Sequence, residues 1–311
     1  MLLVTTAIAP VVLLLALGAV LRRKFLKDPG FWKGMEWLSY RIFTPALFVV
    51  SIAGTDLSVV PPGPLVLSVG VPITAIAAFT VVLGLSLRTK GPRLTSLVQG
   101  AIRLNTYIGL MFASALHGQE GVATFALASA VVVPMVNVIC VGLLSGYGEK
   151  RGAVPPKPLW RELLENPLIQ GCALGLLLNF AGLPLPDFLS ATLSMLAAPA
   201  LACGTLIAGA ALHIDFRRRD AADIAWVSAL KLVVLPLAAA AIAIPLGVSG
   251  PILSSVVLIC AIPTAPSASV LAGRMGGDVQ LMATIMGAQT LLAIGTLPAI
   301  LKLVDLMKLW L

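Results

Sequence analysis

The chain has 311 residues, of which 59% are hydrophobic and 11% are charged. A soluble domain carries charge on roughly a quarter of its residues, so this chain has too few charges to cover a water-soluble globule of its length. The net charge of +8 does not indicate nucleic acid binding, because the basic residues form short clusters without interleaved aromatic residues. Several apolar runs reach the roughly 20 residues that span a lipid bilayer. The composition therefore predicts an all-α polytopic membrane protein.

Proline, glycine and charged residues divide the apolar sequence into ten predicted transmembrane spans. The first five lie at 3–21, 34–53, 64–86, 95–115 and 121–144. The second five lie at 167–182, 189–212, 222–246, 251–272 and 279–301. Basic residues follow the first apolar run rather than preceding it, which is the reverse of a secretory signal and indicates a first transmembrane helix.

The lysines and arginines are distributed unequally between alternate loops. The loops after spans 1, 3, 5, 7 and 9 hold 16 of the 21, and the loops after spans 2, 4, 6 and 8 hold none. Cytoplasmic loops are enriched in these residues. We therefore expect a multi-pass protein of a bacterial inner membrane, with the odd-numbered loops inside and both termini outside.

Two segments of similar sequence indicate an internal repeat. Thr44–Gly54 reads TPALFVVSIAG and Ala198–Gly209 reads APALACGTLIAG, and each lies at the end of a predicted span. Ala101–Ile102 and Ala261–Ile262 also match, 160 residues apart. Repeats of five spans must have opposite orientations, because five is an odd number.

This pattern predicts two inverted five-helix repeats, at 1–144 and 167–311, joined by a cytoplasmic linker at 145–166. Inverted repeats are an architecture of secondary transporters, whose substrate site lies where the repeats meet near the bilayer midplane. The four cysteines lie far apart inside apolar runs, which indicates buried thiols rather than a disulfide frame or a metal site.

Span 9 contains the segment Cys260–Ser269, with prolines at Pro263 and Pro266. Each proline removes a backbone donor and clashes with the carbonyl one turn earlier. We expect an opened helix whose freed carbonyls face a cavity together with Thr264 and Ser267, since irregular backbone at membrane depth needs protein or water partners. The alternative is a structural kink capped by the hydroxyl groups.

Span 4 contains Arg103–Gly109, at the matching place in the first repeat. Asn105 and Thr106 are poor helix formers that offer donors and acceptors, and Gly109 is expected to loosen the backbone. Asn105 is the first candidate for a substrate-binding side chain. The alternative for Asn105 is a hydrogen bond between packed helices.

Charged residues within the spans favour an anionic substrate. Arg41, Arg103 and Lys231 lie inside predicted spans, whereas acidic residues such as Glu36 lie at span ends or in loops. A cation at membrane depth is costly and indicates function, although each of these side chains is near enough to the cytoplasmic end to snorkel. Without a midplane carboxylate, cation exchange is disfavoured. Gln289 in span 10 either faces the site or packs between helices.

Three segments resemble the auxin efflux carrier family and its bacterial members: RLNTYIGL (103–110), AIPTAPSASVLAGRMGGD (261–278) and TLP (296–298). The resemblance implies a five-plus-five inverted fold similar to bile acid–sodium symporters and sodium–proton antiporters, with broken helices 4 and 9 that cross. It also implies a scaffold of helices 1, 2, 6 and 7, and a transport domain of helices 3–5 and 8–10.

The resemblance implies roles for Asn105 and Pro263 at the crossover. Plant members of the family export auxin and suggest a homodimer, whereas bacterial members are linked to malate and malonate. The chain departs from the family in having no proline between Pro92 and Pro134, so the unwinding of span 4 depends on Asn105, Thr106 and Gly109.

These observations predict a secondary transporter of small mono- or dicarboxylates that works by alternating access, with no cofactor. Uniport and coupling to Na⁺ or H⁺ both stay open. The alternatives are a carrier of a non-anionic solute and a non-transporting receptor or assembly protein, and the spans lack the motifs of an intramembrane enzyme. The predicted substrate-binding residues are Asn105, Thr106, Arg103, Pro263, Thr264, Ser267, Lys231 and Gln289, and the predicted crossover residues are Gly109, Pro263 and Pro266.

Overall fold

A computed structural model describes residues 2–57, 61–149, 158, 161, 164–182, 185–212 and 217–307. These residues form helices and connecting turns, with no strand among them. Most of the predicted linker at 145–166 and the last four residues of the chain lie outside the described residues.

The described part of the first half of the chain contains six α-helices and two single π-helical turns. They are α1 (Leu2–Val20), a π-turn (Leu21–Phe25), α2 (Pro29–Leu38), a π-turn (Ser39–Phe43), α3 (Thr44–Ala53), α4 (Pro62–Ser86), α5 (Gly91–Ile102) and α6 (Thr106–Tyr147). Helix α6 contains a kink, where His117 and Gly118 have non-helical dihedral angles and Gly118 has a φ of 57°.

The described part of the second half contains eight α-helices. They are α7 (Pro167–Phe180), α8 (Asp187–Ala197), α9 (Ala200–Ala210), α10 (Ala221–Ala229), α11 (Leu235–Ala243), α12 (Gly250–Ala261), α13 (Ser267–Met275) and α14 (Val279–Met307). A 3₁₀ turn (Arg218–Asp220) precedes α10, and a π-turn (Leu230–Val234) joins α10 to α11.

Helical residues occupy all ten places predicted from the sequence, with ends shifted by a few residues. Five helical runs of the described chain are long and apolar enough to cross a membrane: Pro62–Ser86, Gly91–Tyr147, Asp187–Ala210, Arg218–Ala243 and Val279–Met307. Two shorter apolar helices are Pro167–Phe180 and Gly250–Ala261. The run Gly91–Tyr147 has 57 residues, far more than one crossing needs, and the kink at His117–Gly118 divides it. The protein is thus all-helical and polytopic.

Prolines explain where two of the π-turns lie. The Thr44 N–H bonds to the Ser39 carbonyl, five residues back, directly before Pro45. The Leu235 N–H bonds to the Leu230 carbonyl in the same way, directly before Pro236. A proline ring collides with the carbonyl four residues earlier in an α-helix, and a wider turn of i to i+5 bonds removes that collision.

Two pairs of helices pack closely across the two halves of the chain, α1 against α9 and α3 against α7. A Cβ atom at Gly18 or Gly209 would overlap backbone of the facing helix in the first pair. A Cβ at Gly171 or Gly175 would press on α3 in the second pair. Small residues let membrane helices approach closely enough for van der Waals packing, so these glycines position the two pairs.

The core surrounds the short helices α5 and α12. Every residue of α5 from Leu94 to Ile102 is buried, and so is every residue of α12 from Ser255 to Ala261. Helices α4, α6 and α14 pack against both of them. The ends of these two central helices, where the chain leaves helical geometry, therefore lie deep inside the protein.

A group of charged residues joins the start of α5 to the start of α10. Arg93 Nη1 lies 2.7 Å from Asp220 Oδ1, and its Nη2 lies 2.6 Å from Asp223 Oδ2. The Asp220 side chain is only 7% exposed, and Trp226 Nε1 donates to Asp223 at 2.9 Å. The arginine thus compensates a largely buried carboxylate and links the two halves of the chain.

Candidate functional site

Two helices are broken next to each other in the core. Helix α5 ends at Ile102 and α6 begins at Thr106, whereas α12 ends at Ala261 and α13 begins at Ser267. The chain leaves α5 and α12 with nearly the same extended geometry, at φ −71° and ψ 161° for Arg103 and φ −72° and ψ 149° for Ile262.

The two breaks are in direct contact. The Asn105 backbone N–H donates to the Pro263 carbonyl at 2.8 Å. The Asn105 side-chain oxygen accepts hydrogen bonds from the N–H groups of Tyr107, at 3.2 Å, and Ile108, at 3.4 Å. Asn105 therefore caps the N-terminus of α6, the position for which asparagine is strongly preferred, and also joins the two breaks.

Gln289 and Thr264 satisfy a carbonyl that the first break leaves without its helical donor. In a continuous helix the Gly100 carbonyl would accept from the N–H of residue 104, which lies in the break. Instead, Gln289 Nε2 donates to it at 2.8 Å and Thr264 Oγ1 donates at 3.2 Å. Gln289 Oε1 also accepts from the Thr264 N–H at 3.1 Å. Gln289 thus forms hydrogen bonds with both breaks and does not only pack between helices.

Lys231 lies beside a carbonyl that the second break leaves without its helical hydrogen-bond donor. Pro263 has no N–H, so the Ile259 carbonyl cannot make its helical hydrogen bond. Lys231 Nζ lies 3.5 Å from that oxygen, and the lysine is fully buried, at 0% exposure. Its side chain does not snorkel to the surface, because it ends beside a helix terminus inside the core.

A polar cavity of about 180 Å³ opens beside the breaks. It is lined by Glu36, Tyr40, Thr44, Arg103, Leu104, Asn105, Thr106, Tyr107, Val133, Val136, Asn137, Asn166, Leu168, Ile207, Ala265, Pro266 and Ser267. Four of the eight residues predicted to bind substrate line this cavity: Arg103, Asn105, Thr106 and Ser267. The other four lie outside its lining: Pro263, Thr264, Lys231 and Gln289.

The wall of the cavity that the breaks form is rich in hydrogen-bond donors. Arg103 Nη2 donates to Ser267 Oγ at 3.4 Å, whereas Arg103 Nη1 is buried and has no hydrogen-bond partner among the described residues. Helix α13 begins at Ser267 without a side-chain cap, and helix N-termini carry partial positive charge. Because its oxygen caps α6, Asn105 offers its amide NH₂ group to a ligand. This wall suits an anion.

The opposite wall contains polar residues that the sequence analysis did not assign to a site. Glu36, Tyr40 and Thr44 line the cavity from α2, the following π-turn and α3. Their spacing of four residues places them on one helix face, and this pattern could have identified them. Arg41 is exposed and does not line the cavity.

Gly109 has a different role from the predicted one. It lies inside α6, one turn after the break, and its N–H bonds to the Asn105 carbonyl at 3.1 Å. A Cβ atom there would overlap the ring of Phe125 and press on Ile262. The expectation that Gly109 loosens the backbone is therefore wrong, because Asn105 restarts the helix at Thr106 and Gly109 allows close packing instead.

An all-helical, multi-pass membrane protein in which two broken helices meet beside a polar cavity has the architecture of a membrane transporter. The sequence profile of a family described as "membrane transport protein" matches residues 3–301. The chain belongs to this family, that of the auxin efflux carriers, and the resemblance seen in the sequence is confirmed.

The chain is also similar to an "uncharacterized transporter" of Methanothermobacter thermautotrophicus, with 27% identity over 206 residues. The match covers 65% of this chain and 65% of that relative, so about a third of each protein is outside the similarity. Both comparisons are to proteins described as transporters.

Proposed function

We propose that the protein is a secondary transporter of small organic anions, mono- or dicarboxylates, which it moves across a bacterial inner membrane by alternating access around the two breaks. The observation that carries this proposal is the Nη1 group of Arg103, buried beside the cavity with no hydrogen-bond partner in the described part of the chain. A buried donor group without a hydrogen-bond partner is costly. A carboxylate in the cavity would supply the missing acceptor.

The neighbours of Arg103 support an anion at the same place. The uncapped N-terminus of α13 and the hydroxyl of Ser267 lie on the same wall of the cavity. Asn105 adds its amide NH₂ group. A guanidinium, an amide and a helix N-terminus are donors that carboxylates bind, because each supplies N–H groups and positive potential.

Matching helices support the inverted repeats at 1–144 and 167–311. Helices α5 and α12 have 12 residues each, and both begin with Gly-Pro, at Gly91 and at Gly250. The contacts of α1 with α9 and of α3 with α7 correspond when the two halves are exchanged. Ten spans in two inverted halves account for both observations, and transporters of this kind bind substrate between the halves.

The cavity lies between two groups of helices, which is what alternating access requires. One wall comes from α2, α7 and α9, which belong to the proposed scaffold, and the other comes from the breaks and α6. Leu168 lies at the end of α7 that the positive-inside rule places in the cytoplasm, and Glu36 lies in the cytoplasmic half of the helical run formed by α2, its π-turn and α3. We propose that the cavity faces the cytoplasm in this conformation, and that the breaks move together to open it outward.

A thermal-shift screen of the purified protein against mono- and dicarboxylates, with Na⁺ or K⁺ and at two pH values, tests the substrate class. A ligand at about 100 times its Kd stabilises the folded state by roughly 2.7 kcal/mol. We expect one carboxylate to raise Tm in the unaltered protein and in Arg41→Gln, and to lose this effect in Arg103→Gln. Arg41 is the matched control because it is an arginine outside the cavity. No response from folded protein, or equal responses in both variants, would contradict the proposal.

Uptake into proteoliposomes tests the position of the site. We expect Asn105→Ala and Pro263→Ala to abolish uptake of that carboxylate while membrane insertion stays intact, because the first removes a donor and a helix cap and the second restores a helical donor at the break. Unchanged uptake in both variants would place the site elsewhere.

A further inference from the structure

We infer that the transported carboxylate also carries an ammonium group, so that the cavity takes small zwitterionic amino acids, with Glu36 binding the ammonium group opposite Arg103. The inference rests on the proposed function for the carboxylate end of the ligand. It adds a second binding group on the other wall, and it narrows the substrate class.

The lining of the cavity contains one negatively and one positively charged residue. Glu36 and Arg103 are the charged residues among those that line it, and they belong to opposite walls. Two like charges about 7 Å apart repel enough to weaken binding about 50-fold at an effective dielectric constant near 20. A simple carboxylate would bind Arg103 and be repelled by Glu36. A zwitterion meets an opposite charge on each wall.

Two tyrosines favour an ammonium group over a bare proton as the partner of Glu36. Tyr40 follows Glu36 by four residues along the same helical run, and Tyr107 lines the cavity from the first turn of α6. A cation over the face of a tyrosine ring is attracted by the ring quadrupole. A cavity that contains a carboxylate and two tyrosine rings can therefore bind an organic cation, whereas a proton on the carboxyl group would gain nothing from the rings.

The volume of the cavity limits the ligand to a small one. Its volume of about 180 Å³ compares with about 150 Å³ for a cavity that binds benzene. A chain of about six to eight heavy atoms therefore fits, which includes the short amino acids and excludes peptides. The separation of the two charged groups in the ligand that binds best should match the distance between the walls.

Pairs of ligands that differ only in the amino group provide the test. Kd is measured by calorimetry on the purified full-length protein for propionate and alanine, butyrate and 4-aminobutyrate, and pentanoate and 5-aminopentanoate. We expect at least one amino acid to bind about 10- to 100-fold more tightly than its partner, the effect of one charge-assisted hydrogen bond. This comparison needs no variant. Glu36→Gln should abolish the difference and leave the simple acid bound at least as tightly, whereas Glu120→Gln, exposed and outside the cavity lining, should preserve it.

Three results would overturn the inference. The first is that every amino acid binds no more tightly than its partner while the simple acids do bind, which leaves the proposed function standing. The second is that the preference for an amino acid survives in Glu36→Gln. The third is that simple acids bind with a pH dependence that Glu36→Gln removes, which would make Glu36 a proton acceptor. Failure of both members of every pair to bind to folded protein would contradict the proposed function as well.

Discussion

Substitution of Gln289 by leucine removes the side chain that supports both breaks. The glutamine amide donates to the Gly100 carbonyl at 2.8 Å and accepts from the Thr264 N–H at 3.1 Å. In Gln289→Leu the Gly100 carbonyl keeps its hydrogen bond from Thr264 Oγ1, at 3.2 Å. The Thr264 N–H is left buried without its acceptor.

The expected loss of stability follows from these two hydrogen bonds. A buried donor without a partner costs about 1–3 kcal/mol, and a hydrogen bond whose acceptor keeps another donor contributes about 1 kcal/mol. We expect Gln289→Leu to lower the free energy of unfolding by about 2–4 kcal/mol. At about 2 °C per kcal/mol for a chain of this size, Tm falls by roughly 4–8 °C.

Thermal unfolding in one detergent, monitored by tryptophan fluorescence, measures this difference, and Gln99→Leu is its control. Gln99 is as fully buried as Gln289, at 0% exposure. Neither the amide oxygen nor the amide nitrogen of the Gln99 side chain has a hydrogen-bond partner within the described residues. Removing an unpaired amide leaves no orphaned partner, so Tm should stay the same or rise. Equal decreases in the two variants would refute the reasoning, because burial alone would then account for the loss.

Two further substitutions test the packing of α6 and the charged group at α5. Gly109→Ala should lower the free energy of unfolding by about 1–3 kcal/mol, because the added methyl group would overlap Phe125. Gly142 has open space around it, so Gly142→Ala should not lower the free energy of unfolding. Equal decreases of Tm in the two variants would contradict this. Arg93→Met should lower the free energy of unfolding by about 2–3 kcal/mol, because the largely buried Asp220 loses its close ion pair and keeps only Arg219 at 3.8 Å. Arg161→Met, which breaks an exposed pair, should lower it by less than about 1 kcal/mol. Similar losses in thermal unfolding would show that the Arg93 pairs are too well solvated to matter.

The breaks themselves could be predicted from local chemistry. Pro263 cannot donate a backbone hydrogen bond, and Asn105 prefers a helix cap to a helix interior. Both properties act within a few residues, and the breaks at 103–105 and 262–266 lie within the segments Arg103–Gly109 and Cys260–Ser269 in which the sequence predicts them. The role of Gly109 could not be predicted from its near neighbours, because its small size allows close packing against Phe125, which is 16 positions further along the chain.

The side chains from other helices that contact the breaks could not be predicted. Gln289 and Lys231 lie near carbonyls that the breaks orphan, at Gly100 and Ile259, and these contacts depend on how distant helices pack. The sequence places Glu36 at a span end because it is only two residues from the predicted start of span 2. Only the packing of α2 against the rest of the protein brings it to the cavity.

The π-turn at Ser39–Phe43 has a consequence for sequence change in this protein. A π-turn is an α-helix that contains one residue too many. It lies between Glu36 on one side and Thr44 on the other. The extra residue is taken up within this one wide turn, so α2 and α3 keep nearly the orientation of a continuous helix while the ring of Pro45 is accommodated. A deletion of one residue within the regular helix α3 would instead rotate the residues before it by about 100° and turn Glu36 away from the cavity, so the length of this run is constrained where the helix is regular.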